Sequence, residues 1–192
     1  MTAFTQFEFT LLNWIVQTFK HEYLDAIMPK ISFLGDKGWI WIALGLLFMF
    51  RKSTRRIGTT VLLALLFSLI VANIVLKPLV ARTRPFDINT TYQLLIDPPG
   101  DYSFPSGHAQ AAFAAASVIS HNMRFLGGAA MLLAAAISFS RLYLYLHFTC
   151  DVLAGAIIGY ILGSIADTLV TEIRYRRYAK KRRLSKKAPL SP

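Results

Sequence analysis

Apolar positions in this chain come in long blocks rather than in the alternation of a half-buried strand. Residues 57–76, IGTTVLLALLFSLIVANIVL, carry no ionisable side chain over 20 positions. At a rise of about 1.5 Å per residue, that is enough to cross a hydrocarbon layer of roughly 30 Å. Interrupted apolar runs at residues 38–50, 105–121, 125–140 and 147–170 predict four more membrane-crossing helices. Ahead of them the pattern changes, because Glu8, Lys20, His21, Glu22, Asp25 and Lys30 punctuate the apolar residues. This mixture predicts an amphipathic interfacial helix over residues 5–19 and a second short helix over 23–34. The fold expected is all-α: a polytopic membrane helix bundle of five or six transmembrane helices with an N-terminal amphipathic helix. Three regions follow, with interfacial helices over 1–35, a transmembrane domain over 36–172 and a basic tail over 173–192.

Composition supports lipid as the solvent. Hydrophobic residues make up 55% of the 192 positions and charged residues only 16%, and the mean hydropathy is positive at +0.47, unlike an ordinary soluble domain. The start, MTAFTQFEFT, has neither a basic segment nor a small-residue cleavage site, so no removable signal peptide is expected. A lone cysteine, Cys150, excludes an intrachain disulfide framework and argues against a thiolate metal site; it is expected to be a small packing residue.

The formal net charge of +11 raises the question of nucleic acid. The distribution of charge answers it. Fourteen of the 21 Lys and Arg residues fall in RKSTRR (51–56), HNMR (121–124) and RYRRYAKKRRLSKK (174–187), which share one side of the membrane if the spans alternate. The positive-inside rule makes that side cytoplasmic, and the tail should lie against anionic headgroups; no nucleic-acid partner is expected. Residues 35–38, 77–104 and 141–147 then emerge on the external face. The 77–104 connection contains Pro78, Pro85, Pro98, Pro99 and Gly100, which predicts an irregular loop.

That external face gathers the remaining ionisable residues. Each alone has a plain reading: Lys77 as a snorkelling anchor, Arg82 as an anchor or rim contact, Ser106 as a helix cap, and His108 as a polar residue at a helix start. His147 and Asp151, four apart, could be a structural pair on one helix face. Together they suggest chemistry. Lys77, Arg84 and Arg141 would surround a phosphoryl group, with Ser106 and the N–H of Gly107 adding donors at a helix N-terminus. His147, its ring oriented by Asp151, could attack phosphorus, while His108 protonates the leaving oxygen and then activates water. Asp87, Asp97 and Asp101 match no ligand spacing, so neither a metal nor a cofactor is expected.

These residues resemble the type 2 phosphatidic acid phosphatase (PAP2) superfamily. KPLVARTRP (77–85) is similar to Lys-x6-Arg-Pro, PSGH (105–108) matches outright, and SRLYLYLHFTCD (140–151) is similar to Ser-Arg-x5-His-x3-Asp. The resemblance implies that Lys77, Arg84, Ser106, Gly107 and Arg141 hold phosphate. It implies too that His147 forms a phosphohistidine, Asp151 orients it and His108 is the general acid. An integral-membrane lipid phosphatase is therefore expected, with its site on the external face of the cytoplasmic membrane. Undecaprenyl diphosphate is the first substrate choice, followed by phosphatidylglycerophosphate, phosphatidic acid and lipid A phosphates. A phosphotransferase and a non-catalytic lipid-phosphate transporter or scaffold are the competing classes. Three finer expectations concern Gly155, Gly159 and Gly163 as close-packing positions, Asn73 as a residue that orients Lys77, and DYSF (101–104) as a contact to the remaining headgroup.

Overall fold

A computed structural model of the protein describes residues 2–187, and among these all regular structure is helical. Two short helices come first, α1 (Ala3–Phe19) and α2 (Glu22–Gly35). A tight turn at Asp36–Gly38 leads into α3 (Trp39–Phe50). Next comes α4 (Arg55–Leu69), which runs on through a π-helical stretch, Ile70–Leu76, into α5 (Lys77–Val80). The single turn α6 (Pro85–Ile88) precedes the long connection, and α7 (Gly107–Asn122), α8 (Arg124–Tyr143) and α9 (Thr149–Lys187) complete the chain. Among the described residues, four helical stretches are long and apolar enough to cross a membrane: Glu22–Phe50, Arg55–Ile88, Arg124–Tyr143 and Thr149–Lys180. The basic tail expected over 173–192 continues α9 as far as Lys187, and residues 188–192 lie outside the described residues.

α7 is the axis of the molecule. It packs against α4, α8 and α9, and Ala109, Ala112, Ala114, Ala115 and Ala116 are wholly buried. A helix buried on every side needs no polar face, and small side chains let its neighbours come close. The contact with α9 is the closest. A β-carbon at Gly155 would come within 2.6 Å of the Ser106 carbonyl oxygen, and β-carbons at Gly159 and Gly163 would collide with the Gln110 and Ala114 carbonyls. Contacts advance by four residues on both helices, so α7 and α9 run parallel and begin at the same end of the bundle. Outward-facing Leu66, Ile74, Leu132, Leu153 and Ile157 are exposed, as side chains that face lipid should be.

The two ends of the bundle differ. At one end Arg56 donates to Asp167 at 3.2 Å and to Thr171 at 2.7 Å, and Asn122 donates to Asp167 at 3.1 Å. This ties the basic ends of α4, α7 and α9 together. At the other end α1 and α2 pack on α8 and on the start of α9. There Phe9 meets Phe148 edge-on at 5.0 Å, Phe19 meets Phe139 at 5.2 Å, and the Tyr143 hydroxyl donates to Asp25 at 2.6 Å. Lys37 and Gly38, with φ of 51° and 70°, turn the chain sharply between α2 and α3, so the two are not one straight helix.

Candidate active site

The eight phosphate and acid/base candidates, Lys77 on α5, Arg84 before α6, Ser106, Gly107 and His108 at the start of α7, Arg141 on α8, His147 in the turn before α9 and Asp151 on α9, all lie at the end covered by α1 and α2. Lys77 follows the π-helical stretch, whose widened turn re-aims the residues after it. Gln110, fully buried on α7, donates to the Ser68 carbonyl at 3.1 Å just before that stretch. Lys77 thereby meets the start of α7, where its Nζ lies 3.6 Å from the position a β-carbon would take on Gly107. Asn73 faces the same spot, with its Oδ1 3.7 Å from that position. α7 itself starts at Gly107 with Ser106 as N-cap, and Pro105 stands just outside the helix, joined to Phe104 by a cis peptide. The Ser106 N–H donates to the Asp151 carbonyl at 3.0 Å, which fixes the starts of α7 and α9 to one another.

His147 and Asp151 stand differently from the helical pair expected. His147 sits in the turn between α8 and α9 rather than on a helix. The turn is made by Tyr145 at φ 61°, held by its hydroxyl donating to Asn13 at 2.8 Å and by stacking on Tyr92 at 4.0 Å. His147 Nδ1 lies 3.8 Å from Asp151 Oδ2, beyond a hydrogen bond. Ser103 fills the gap: its hydroxyl donates to Asp151 Oδ2 at 2.6 Å and lies 3.5 Å from His147 Nδ1. Asp151 Oδ2 also accepts from the Phe148 N–H at 2.9 Å. The carboxylate thus orients the imidazole through a bridging hydroxyl and the turn backbone. His147 is buried, and loss of hydration beside the Arg84 and Arg141 charges depresses its pKa to about 3. It is a neutral imidazole at physiological pH.

Arg82 corrects the expectation of a rim contact or anchor. Its guanidinium donates to Asp151 Oδ1 at 2.5 Å and to Glu8 of α1, and stacks over the Phe148 ring at 4.2 Å. Glu8 is itself 2% exposed. A residue of α1 therefore reaches the Asp151 carboxylate through one arginine. Cys150 also takes part, its sulfur accepting from Arg82 at 2.7 Å.

The cations converge as expected. Lys77, Arg84 and Arg141 are 7%, 2% and 3% exposed, and each lies within electrostatic range of another. Burial of three like charges is costly without an anion nearby. Among protein groups, Asp101 supplies it: Arg84 Nη2 donates to Asp101 Oδ1 at 2.5 Å, Lys77 pairs with Oδ2, and Arg84 Nε donates to the Asp101 carbonyl at 2.7 Å. These two cations hold the Asp101 carboxyl down at about 2 despite its partial burial. Its two oxygens sit where two oxygens of a phosphoryl group would be gripped. Arg84 Nη1 also donates to the Leu146 carbonyl at 2.7 Å and lies 3.1 Å from His147 Nε2. Arg141 is braced by Ser32 of α2. Among the described residues, Arg141 Nε and Ser106 Oγ are buried without a hydrogen-bond partner, two donors left over beside the cage.

DYSF thus lies inside the site: Asp101 enters the cage and Ser103 bridges His147 to Asp151. The sequence singled out the tetrapeptide and missed these roles, because neither follows from spacing. Asp36 and Glu8 were missed for a similar reason, being far from the motifs along the chain. From the cage a cavity of about 750 Å³ runs between α3 and α4. Asp36, Lys77, Asp101 and His108 line its polar end, and Ile42, Leu62, Leu65 and Leu69 line its apolar part, with Ile42 and Leu69 exposed.

Known proteins resemble this chain in sequence and in fold. The model of the PAP2 superfamily matches residues 58–175. An undecaprenyl-diphosphatase of Sulfolobus acidocaldarius is 33% identical over 138 residues, covering 71% of this chain and 66% of that protein. A lipid A 4'-phosphatase of Porphyromonas gingivalis is 27% identical over 189 residues, covering 90% of this chain and 75% of the other. Among solved structures, Aquifex aeolicus LpxE superimposes with a TM-score of 0.73 at 28% identity, covering 82% of this chain and 93% of that one. The PAP2-type phosphatidylglycerolphosphate phosphatase of Bacillus subtilis superimposes with a TM-score of 0.72 at 24% identity, covering 90% and 89%, and supports the fold.

Proposed function

The chain belongs to the PAP2 superfamily, and from that premise we propose that it is an integral-membrane lipid phosphatase that removes a terminal phosphate by way of a phosphohistidine. The observation that carries the reading is a cluster of three buried cations, two of them paired with Asp101, next to a buried neutral His147. When the terminal phosphoryl group replaces the Asp101 carboxylate, Arg84 and Lys77 take oxygens they already reach. Arg141, Ser106 Oγ and the Gly107 N–H complete the grip. Most of the rate acceleration in phosphoryl transfer comes from such positioning and charge stabilisation.

His147 Nε2 attacks phosphorus, the bond from phosphorus to the leaving oxygen breaks, and His108 gives that oxygen its proton. Ser103 and Asp151 hold the Nδ1 side of the His147 ring as positive charge develops on it. Water then attacks the phosphohistidine, His108 takes the proton back, and inorganic phosphate leaves with His147 neutral again.

The apolar cavity between α3 and α4 suits a hydrocarbon chain whose head lies in the cage. Undecaprenyl diphosphate is the first choice among substrates, in keeping with the Sulfolobus relative. Lipid A and phosphatidylglycerophosphate follow, after the relatives that act on them. The site end faces outward and the basic end faces the cytoplasm, by the positive-inside rule. Purified protein should release inorganic phosphate from one of these lipids without added metal, and His147→Ala should not; full turnover by the variant refutes the mechanism. An impermeant thiol reagent added to intact cells should label Thr90→Cys and spare Lys180→Cys, and the reverse pattern refutes the orientation.

A further inference from the structure

We infer that Asp36, in the turn between α2 and α3, is the positioning carboxylate of His108: it accepts a hydrogen bond from Nε2–H, orients the ring of the general acid and favours its protonated form against the neighbouring cations. The inference rests on the assignment of His108 as the acid. His108 Nε2 lies 2.8 Å from Asp36 Oδ1. The backbone is shaped for this contact. A β-carbon at Gly35 would come within 2.8 Å of His108 Cδ2 and 2.7 Å of Ile137 Cγ2, so only glycine lets the ring lie against the turn. Lys37 and Gly38 then take positive φ, which directs Asp36 towards α7 and sends the chain on into α3.

The need for a carboxylate follows from the neighbours. His108 faces Asp36 from the turn, Lys77 from α5 and Arg141 from α8, while Asp36 also faces Lys37 and Arg141. Two cations oppose protonation of the imidazole, and burial opposes it further. A general acid without a proton cannot serve, so an opposing charge is required at close range. Asp36 supplies it at Nε2 and leaves Nδ1 as the nitrogen that gives and takes the proton. His147 has the opposite requirement. A nucleophile must be neutral, and its ring meets Arg84 on one side and a carboxylate bridged by Ser103 on the other. Two His–Asp pairs in one site thus have different geometries because their imidazoles must start in different charge states.

The test uses leaving groups that do and do not need a proton. An alkoxide leaving from a long-chain alkyl phosphate requires protonation, whereas p-nitrophenolate does not. In the full-length protein in detergent, Asp36→Asn should slow kcat on the alkyl phosphate by about 10- to 100-fold. It should move the alkaline limb of the pH–rate profile to lower pH. Pre-steady-state release of p-nitrophenolate from p-nitrophenyl phosphate should change by less than about threefold. Asp36→Glu should restore part of the alkyl phosphate rate, and Gly35→Ala, which displaces the ring from the carboxylate, should imitate Asp36→Asn. Equal losses on both substrates with an unmoved pH limb overturn the inference and leave Asp36 a structural residue. His108→Ala separates the two levels. If it discriminates between the substrates while Asp36→Asn does not, the acid assignment stands and the role of Asp36 falls. If His108→Ala slows both equally, the acid assignment falls, and the inference with it.

Discussion

Both ends of the bundle are rich in Lys and Arg, yet they use them in opposite ways. At the basic end Arg51, Arg55, Arg174, Arg176 and Arg177 are exposed, and the ion pair of Arg176 with Glu172 is open to solvent. Exposed pairs of this kind add little to stability. At the site end Lys77, Arg84 and Arg141 are buried and close together, with Lys77 and Arg84 paired to Asp101 and Arg141 braced by Ser32. Charge count does not distinguish the two ends. Burial and convergence do, because a buried group of like charges is costly unless an opposing charge lies close by.

Substitutions should separate the ends sharply. His147→Ala removes the nucleophile itself and should lower kcat by at least about 10⁴-fold, measured as phosphate release. Arg141→Ala leaves the nucleophile but removes a buried donor to the phosphoryl oxygens, at a cost of about 10²- to 10³-fold in kcat/KM. Gly159→Val should act on the scaffold that keeps the site together: its side chain would collide with the Gln110 backbone. It should lower the thermal midpoint in detergent by separating α7 from α9, with an overpacking cost of about 1–3 kcal/mol or more.

pH supplies a finer contrast. His147 has a folded pKa of about 3 against an unfolded value of 6.5. Its contribution to stability is complete above pH 6.5 and is lost progressively as pH falls towards 3, since the unfolded chain binds the proton first. The thermal midpoint should therefore decline between pH 6.5 and 4, and His147→Gln should flatten that decline. At the basic end, Arg176→Ala with Arg177→Ala should change kcat/KM by less than about twofold, since exposed charges far from the reacting atoms carry little energy. A large loss there would erase the distinction between the ends.

Much of the site was legible before any coordinates. Lys77, Arg84, Ser106, Gly107, His108, Arg141, His147 and Asp151 meet at one end of the bundle because alternating spans place every second helix end on the same face. The 20-residue uncharged run became α4 and its π-helical extension, and the glycine steps at 155, 159 and 163 became the α7–α9 contact. Arg82 was misjudged because its partner Glu8 is 74 positions away on a helix that hydropathy describes only as interfacial. His147 and Asp151 do not share a helix face because His147 belongs to a turn, and its Nδ1 stops 3.8 Å from Asp151 Oδ2 with the Ser103 hydroxyl beside both.

The sequence by itself determined the solvent, the helical class, the charge pattern and the candidates for the reacting groups, because hydropathy and residue chemistry are local properties of the chain. Tertiary structure decided which charges face each other. It brought Asp101 into the cage, Ser103 between His147 and Asp151, Glu8 to Arg82 and Asp36 to His108. Such pairings depend on how loops and interfacial helices fold back over the bundle end. No periodicity records that geometry.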